Sequence, residues 1–299
     1  MRWLAALALM TGFAAGPMAA AGPTYANVAY GPHERNVLDF YRAAADKPTP
    51  VVVFLHGGGF VHGSKDQLNA AMRDRLLRAG ISVAAVNYRY ATQASFPAPM
   101  MDGVRAIQFL RWKAGEWNID ARRIGAMGGS AGACMALWIG YHDEFARPGA
   151  SDPVERESSR LAVMAVAGAQ TTLELDVIET LISLSAARHP SGPAFFGVPF
   201  SEAGSERARK IYRAASPVTY LSKDDPPAWL YYSDPDVNIP AGAKPGTGIH
   251  HPRFGHYLRA RCAPLGLVCE VREAKDFQDT SGVAQEQFDF LRRHLLAAR

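Results

Sequence analysis

Two glycine-rich stretches carry the residue types of nucleophilic catalysis. His56-Gly57-Gly58-Gly59-Phe60 sets three consecutive glycines after an apolar run, and Gly128-Gly129-Ser130-Ala131-Gly132 sets a serine among glycines. Consecutive glycines let the backbone turn sharply and bring bare N–H groups close to a ligand. The second stretch fits G-x-S-x-G, the strained strand-to-helix turn that pushes a serine hydroxyl out at a sheet edge. Side chains at Gly128 and Gly132 would collide where strand and helix cross, and a helix N-terminus behind Ser130 favours negative charge there. Either stretch alone is a common structural turn. Together, in this order and each after a strand, they point to acyl transfer through a serine. A base is then required, and residues 246–257, G-T-G-I-H-H-P-R-F-G-H-Y, crowd three of the nine histidines into twelve positions.

The elements that must position these residues alternate. Val51–Leu55 is a continuous apolar run suited to a strand buried on both faces, and Leu68–Ala79 has helical spacing ending at Gly80. Strand patterns at Ile81–Asn87, Arg123–Met127, Leu161–Ala169, Trp229–Ser233 and Leu267–Arg272 are interleaved with helical patterns at Pro99–Ala114, Ala131–His142 and Gln285–Ala298. Alternation of this kind implies a mostly parallel sheet flanked by helices, with the site at the carboxyl ends of its strands. Residues 171–216 fit the alternation poorly. They mix a helical piece, Leu173–Ala187, with H-P-S-G-P-A-F-F-G-V-P-F, and read as a small cap-like insertion whose Phe195, Phe196 and Phe200 shape a pocket or fill core.

Composition bounds the remainder. Residues 1–21 combine Arg2, an apolar run too short to span a bilayer and a small-residue Ala19-Ala20-Ala21 stretch, the pattern of a cleaved secretory signal peptide. Residues 22–299 then form one domain, exported to the periplasm or secreted, with no membrane association after cleavage. At 48% hydrophobic, 20% charged and a net charge of +4, the chain is an ordinary globular one. Its basic clusters, 207–213 and 292–299, lie on helical patterns and read as solvated faces, not a nucleic-acid footprint. Of three cysteines, Cys134 reads as a small buried hydrophobe, and export would permit a Cys262–Cys269 bridge. None has metal-site spacing, so neither metal nor organic cofactor is expected. Nothing in the sequence specifies an oligomeric state.

The chain resembles α/β-hydrolase-fold esterases of the hormone-sensitive-lipase-like or feruloyl-esterase-like (BD-FAE-like) type. The matching stretches are N-V-L-D-F-Y (36–41), H-G-G-G-F, V-N-Y-R-Y (86–90), F-P-A-P-M-M-D-G (96–103), N-I-D-A-R-R-I-G (118–125), G-G-S-A-G-A, A-S-P-V-T-Y (215–220) and P-P-A-W-L-Y-Y (226–232). The resemblance implies an α/β-hydrolase fold, with Ser130 as nucleophile and the N–H groups of Gly58, Gly59 and Ala131 as oxyanion hole. Asp102 would be structural. The acid would follow the strand after P-P, where Asp236-Val237-Asn238-Ile239-Pro240 matches a D-x-x-V-P pattern, with Asp234 as nearby competitor.

The family's histidine, which follows the last strand, is absent. That place reads Lys275-Asp276-Phe277, and the one later histidine, His294, sits in the terminal helix. An ordinary lysine is protonated at neutral pH and cannot substitute. The stretch 241–251 reads instead as an extra loop before a helix starting near Pro252, which brings His250 and His251 to the carboxyl-end face. His251 is preferred because a residue before proline is held extended at the helix entrance. Both could equally cap the helix or hold the loop, and His256 lies a turn inside it. His56 and His62 read as structural. The sequence therefore predicts a serine-dependent carboxylic-ester hydrolase with catalytic Ser130, Asp236 and His251, acting on a small-molecule or glycan-linked ester. The alternative is a hydrolase-fold protein with an impaired triad that binds an ester or glycan without efficient turnover.

Overall fold

The computed structural model describes residues 22–297; the signal-peptide expectation falls on residues 1–21, outside them. Eight strands form one sheet: β1 (Tyr25–Ala29), β2 (Val37–Tyr41), β3 (Thr49–Leu55), β4 (Ser82–Val86), β5 (Ile119–Gly129), β6 (Met164–Ala167), β7 (Ala228–Tyr232) and β8 (Cys269–Glu273). Their spatial order is β1-β2-β4-β3-β5-β6-β7-β8. From β4 to β8 every pairing is parallel, while β1–β2 and β2–β4 are antiparallel. This is the α/β-hydrolase architecture that the alternation and the quoted stretches imply. The two N-terminal strands escape a reading of apolar runs for a physical reason. Edge strand β1 is largely exposed, and β2 carries a buried Asp39 neutralised by Lys65 at 2.6 Å.

The period of two in β3 divides the core. Val51, Val53 and Leu55 face one side, with α2 (after α1, Ala70–Arg78; α2, Ala98–Trp112), the short α3 (Ala114–Trp117) and α4 (Ala131–Tyr141). Val52 faces the other, against α1 and the C-terminal helix. All eleven residues of α4 are buried, as its unbroken apolar sequence requires. Between β6 and β7 the insertion folds as α5 (Leu175–Leu181), α6 (Leu184–Ala187), α7 (Gly192–Phe196) and α8 (Glu206–Ala215). The single helical piece expected over 173–187 divides in two because the Ser183 side chain accepts from Ala186 N–H and starts a new helix.

Helix α9 (Arg253–Cys262) begins directly after Pro252, close to where that proline predicts it, and α10 (Thr280–Leu296) closes the chain. A Cys262–Cys269 disulfide ties the end of α9 to the start of β8. Cys134 is fully buried. His294 is half-buried against Phe290, with ring centroids 4.6 Å apart. Among the described residues no helix is long and apolar enough to cross a membrane.

Candidate active site

Ser130 sits between β5 and α4 with φ 52° and ψ −118°, a conformation rare for any residue with a side chain. Such strain costs roughly 1–3 kcal/mol. Burial of Met135, Leu137, Trp138 and Ile139 on α4 outweighs it, at about 1.5–3 kcal/mol for each large apolar side chain. Bare neighbours are required. A Cβ at Gly128 would lie 2.6 Å from the Leu55 carbonyl oxygen, and one at Gly132 would collide with the same atom.

The glycine loop after β3 faces this turn. Gly58 adopts φ 108°, where a side chain would strike the His62 carbonyl. Side chains behind the loop clamp it. Fully buried His56 stacks on Tyr88 at 4.1 Å and donates from Nδ1 to the Gly57 carbonyl at 2.7 Å. Burial pushes its pKa down to about 4, so it is neutral and its Nε2 can face the Arg35 guanidinium at 3.4 Å. Arg35 and the Tyr90 hydroxyl both donate to the Gly63 carbonyl, at 3.2 and 2.6 Å. Among the described residues the N–H groups of Gly58, Gly59 and Ala131 donate to no protein acceptor. Gly59 and Ala131 line the same cavity as Ser130.

His250 completes the approach to the serine: its Nε2 lies 2.8 Å from Ser130 Oγ. The ring packs on Gly168, where a Cβ would come within 3.1 Å of His250 Cδ2. Gln170 holds the adjoining backbone by donating from Nε2 to the carbonyls of Gly168 and Ile249, each at 2.8 Å. The insertion holds the rest of the loop, through Gly246 N–H to the Ser185 carbonyl at 2.7 Å and the Ser185 hydroxyl to the Thr247 carbonyl at 3.1 Å. Burial lowers the His250 pKa below the ordinary histidine value, and the negative charge of Asp234 partly opposes that. Among the described residues no carboxylate is hydrogen-bonded to His250.

The preferred pair His251 and Asp236 is not brought to Ser130, and both placements are corrected. His251 is 1% exposed and turned into the protein. Its Nδ1 accepts from Arg253 N–H at 3.2 Å, which leaves Nε2–H to donate to the Val237 carbonyl at 2.9 Å. Pro252 constrains the backbone of the preceding residue but not the direction of its side chain. Asp236 is exposed and paired with Arg253 at 2.9 Å. The competitor His250 meets the serine instead, and Asp234 is near enough to act on it by charge. After β8, where the resemblance placed a histidine, Glu273 pairs with His256 at 3.1 Å and with Lys275 at 3.1 Å. Asp102 is structural, with Arg89 bound to both its carboxylate oxygens at 2.6 and 2.8 Å. Gln170 belongs to no motif in the sequence, although a polar residue two places beyond a glycine-terminated strand is a usable signal.

The cavity over Ser130 holds about 60 Å³. Its lining includes the apolar side chains of Leu173, Ile178, Phe195 and Phe196. Of its polar groups, Gln170 bonds to the histidine loop at Ile249, Ser191 lies against Gly59, and His189 lies between Gly59 and Gly246. Phe60 stacks on Phe195 at 4.2 Å, joining the glycine loop to the insertion. Among the described residues no cluster of three or more His, Cys, Asp or Glu side chains could hold a metal ion.

Comparison with known proteins supports the fold and the esterase type. The BD-FAE family model matches residues 38–243, which include Ser130 and Asp234 and stop short of His250. Esterase LipQ of Mycobacterium tuberculosis (strain ATCC 25618 / H37Rv) is 26% identical over 226 residues, 72% of this chain and 49% of LipQ. The chain spans about half the length of the curated relatives it matches over most of its own length, LipQ at 49% and Esterase LipC of the same strain at 51%. Among solved structures, the acetyl ester-xyloside bifunctional hydrolase from Caldicellulosiruptor lactoaceticus superposes with a TM-score of 0.65 at 22% identity, covering 85% of this chain and 86% of that one. Thermogutta terrifontis Est2 gives 0.60 at 20% identity, covering 87% and 88%. At such identity the likeness shows the fold.

Proposed function

Because the chain belongs to the BD-FAE family, we propose that it is an exported serine ester hydrolase working through an acyl-enzyme, with Ser130 as nucleophile and His250 as base. The observation that carries this is the 2.8 Å approach of a neutral-leaning imidazole to a serine held on a strained elbow. Ser130 Oγ attacks the ester carbonyl as its proton passes to His250 Nε2. The tetrahedral oxygen takes its negative charge beside the free N–H groups of Gly58, Gly59 and Ala131, at the N-terminus of α4. Collapse breaks the bond to the alcohol oxygen, which leaves with the proton from His250. Water, deprotonated by the same ring, then releases the acid and restores the serine.

Asp234 stabilises the imidazolium by charge across space, without the hydrogen bond of a full triad. The apolar wall suits a short acyl group. Export draws support from the N-terminal pattern of residues 1–21 and from the Cys262–Cys269 bridge. The impaired-triad alternative depended on a missing base, and His250 at the serine takes away its motive.

The direct test is labelling with a fluorophosphonate together with hydrolysis of a short-chain aryl ester. Wild type is expected to be labelled at Ser130, and Ser130→Ala to lose both labelling and turnover. Turnover that survives in Ser130→Ala would remove the serine mechanism.

A further inference from the structure

An imidazole other than His250 lines the cavity over Ser130 and has no part in the proton transfer just described. His189 lies in the insertion between α6 and α7, on the wall of the cavity that holds Ser130. Its ring is set between the two catalytic loops. A Cβ on Gly59 would meet His189 Cε1 at 3.2 Å, and a Cβ on Gly246 would meet its Cδ2 at 3.1 Å. It therefore touches the glycine loop on one side and the segment leading to His250 on the other.

The hydrogen bonds define its tautomer. The backbone N–H of Ser191, which can only donate, is directed at His189 Nδ1 at 3.3 Å, and the Ser191 hydroxyl lies 2.8 Å from the same atom. Nδ1 must present its lone pair, so a neutral His189 carries its proton on Nε2. Among the described residues no protein group accepts that proton. Nor is Nε2 one of the buried groups left unpaired, which are on Arg73, Tyr212 and His294, so it is accessible, on a residue that lines the cavity. Burial above all, with the neighbouring imidazoles of His250 and His62, lowers the His189 pKa, which favours the neutral ring and suits it to an uncharged oxygen.

Chemistry says which part of the substrate it meets. The leaving alcohol oxygen must come to His250 Nε2 to take its proton, so the carbons and substituents attached to that oxygen lie beside His250. The apolar part of the lining is left for the acyl chain. We infer that His189 Nε2–H is a specificity contact on the alcohol side, donating to a second oxygen of the alcohol such as a vicinal hydroxyl. Preferred substrates are then esters of polyhydroxylic alcohols over simple alkyl esters of the same size. This rests on the ester-hydrolase reading.

The test compares glycerol 1-monoacetate with propyl acetate in wild type, His189→Leu and His189→Gln. Wild type should favour the glycerol ester, and His189→Leu should lower the ratio of the two kcat/KM values by about tenfold, the worth of one neutral hydrogen bond. His189→Gln, which keeps an N–H donor, should recover most of that ratio. Because the readout is a ratio, loss of folded protein cancels. In parallel, glycerol 1-monoacetate is titrated by NMR into Ser130→Ala and into Ser130→Ala/His189→Leu, where the second should bind several-fold more weakly. A ratio unchanged in His189→Leu, or equal binding by the two serine variants, overturns the assignment. If wild type hydrolyses neither ester, the hydrolase reading fails, and the binding comparison alone decides the role of His189.

Discussion

The two halves of the catalytic centre are built on different principles. The elbow and the glycine loop are backbone devices: Ser130 at φ 52° and Gly58 at φ 108° are set by steric necessity and sealed by buried neighbours. The histidine loop from Ser233 to Pro252 is long, partly exposed and has little regular structure. It is placed by contacts from outside itself, through Gln170, Ser185 and Arg253, the last bonded to Asp236 and Asn238. Local geometry thus delivers the proposed nucleophile and oxyanion donors, whereas tertiary docking delivers the proposed base. The first half should fail by misfolding when altered, and the second by misplacement.

Exchange within the histidine pair tests that contrast most strongly. His250→Ala should lower kcat by about a thousandfold or more, with a residue of activity from oxyanion stabilisation and binding. The fold should stay intact by circular dichroism. Near-normal kcat in His250→Ala would mean that proximity to Ser130 carries no proton transfer.

Gln170→Met should come next. The substitution keeps the volume and removes both donors, leaving the carbonyls of Gly168 and Ile249 unpaired. We expect kcat to fall by about ten- to a hundredfold, as a misplaced base does, while KM moves little. A change confined to KM would place Gln170 in substrate binding instead.

Asp234→Asn should cost about tenfold in kcat, the worth of one pKa unit of charge stabilisation. The pH profile supplies a signed check. The base must be neutral, and burial holds its pKa below 6.5, so kcat/KM should stay high below that pH and fall only through the lowered value. Asp234 raises that pKa, so its removal should move the acid limb to still lower pH. A limb that moves upward would break the assignment.

The smallest catalytic effect belongs to His251→Ala. The lost hydrogen bond to Val237 and the small cavity should lower stability by roughly 1–3 kcal/mol, read as a reduced urea midpoint. Its kcat should change far less than that of His250→Ala.

The same contrast separates what is legible in the chain from what is not. Alternating strand and helix patterns, the elbow and the Ala131–His142 helix are legible because each is a local rule of period or sterics. His250 and His251 share every local rule. Adjacent side chains leave the backbone in different directions, and only docking on Gly168 and Gln170 decides which one meets the serine. Asp236 fits the expected pattern better than Asp234, yet Arg253, seventeen residues later, captures it. A salt bridge of that range leaves no mark in a short motif.

In the proposed mechanism acid and base both ride on the connection between β7 and α9, so every side chain it uses is in place before Arg253. The C-terminal elements α9, β8 and α10 serve as scaffold. In engineering terms Ala274–Asp276 is vacated ground: exposed, and anchored on one side by the Glu273, His256 and Lys275 pairings and on the other by Phe277, which packs on Tyr231 at 5.9 Å. It is where an inserted peptide, a reporter or a relocated chain terminus should do least harm to the chemistry.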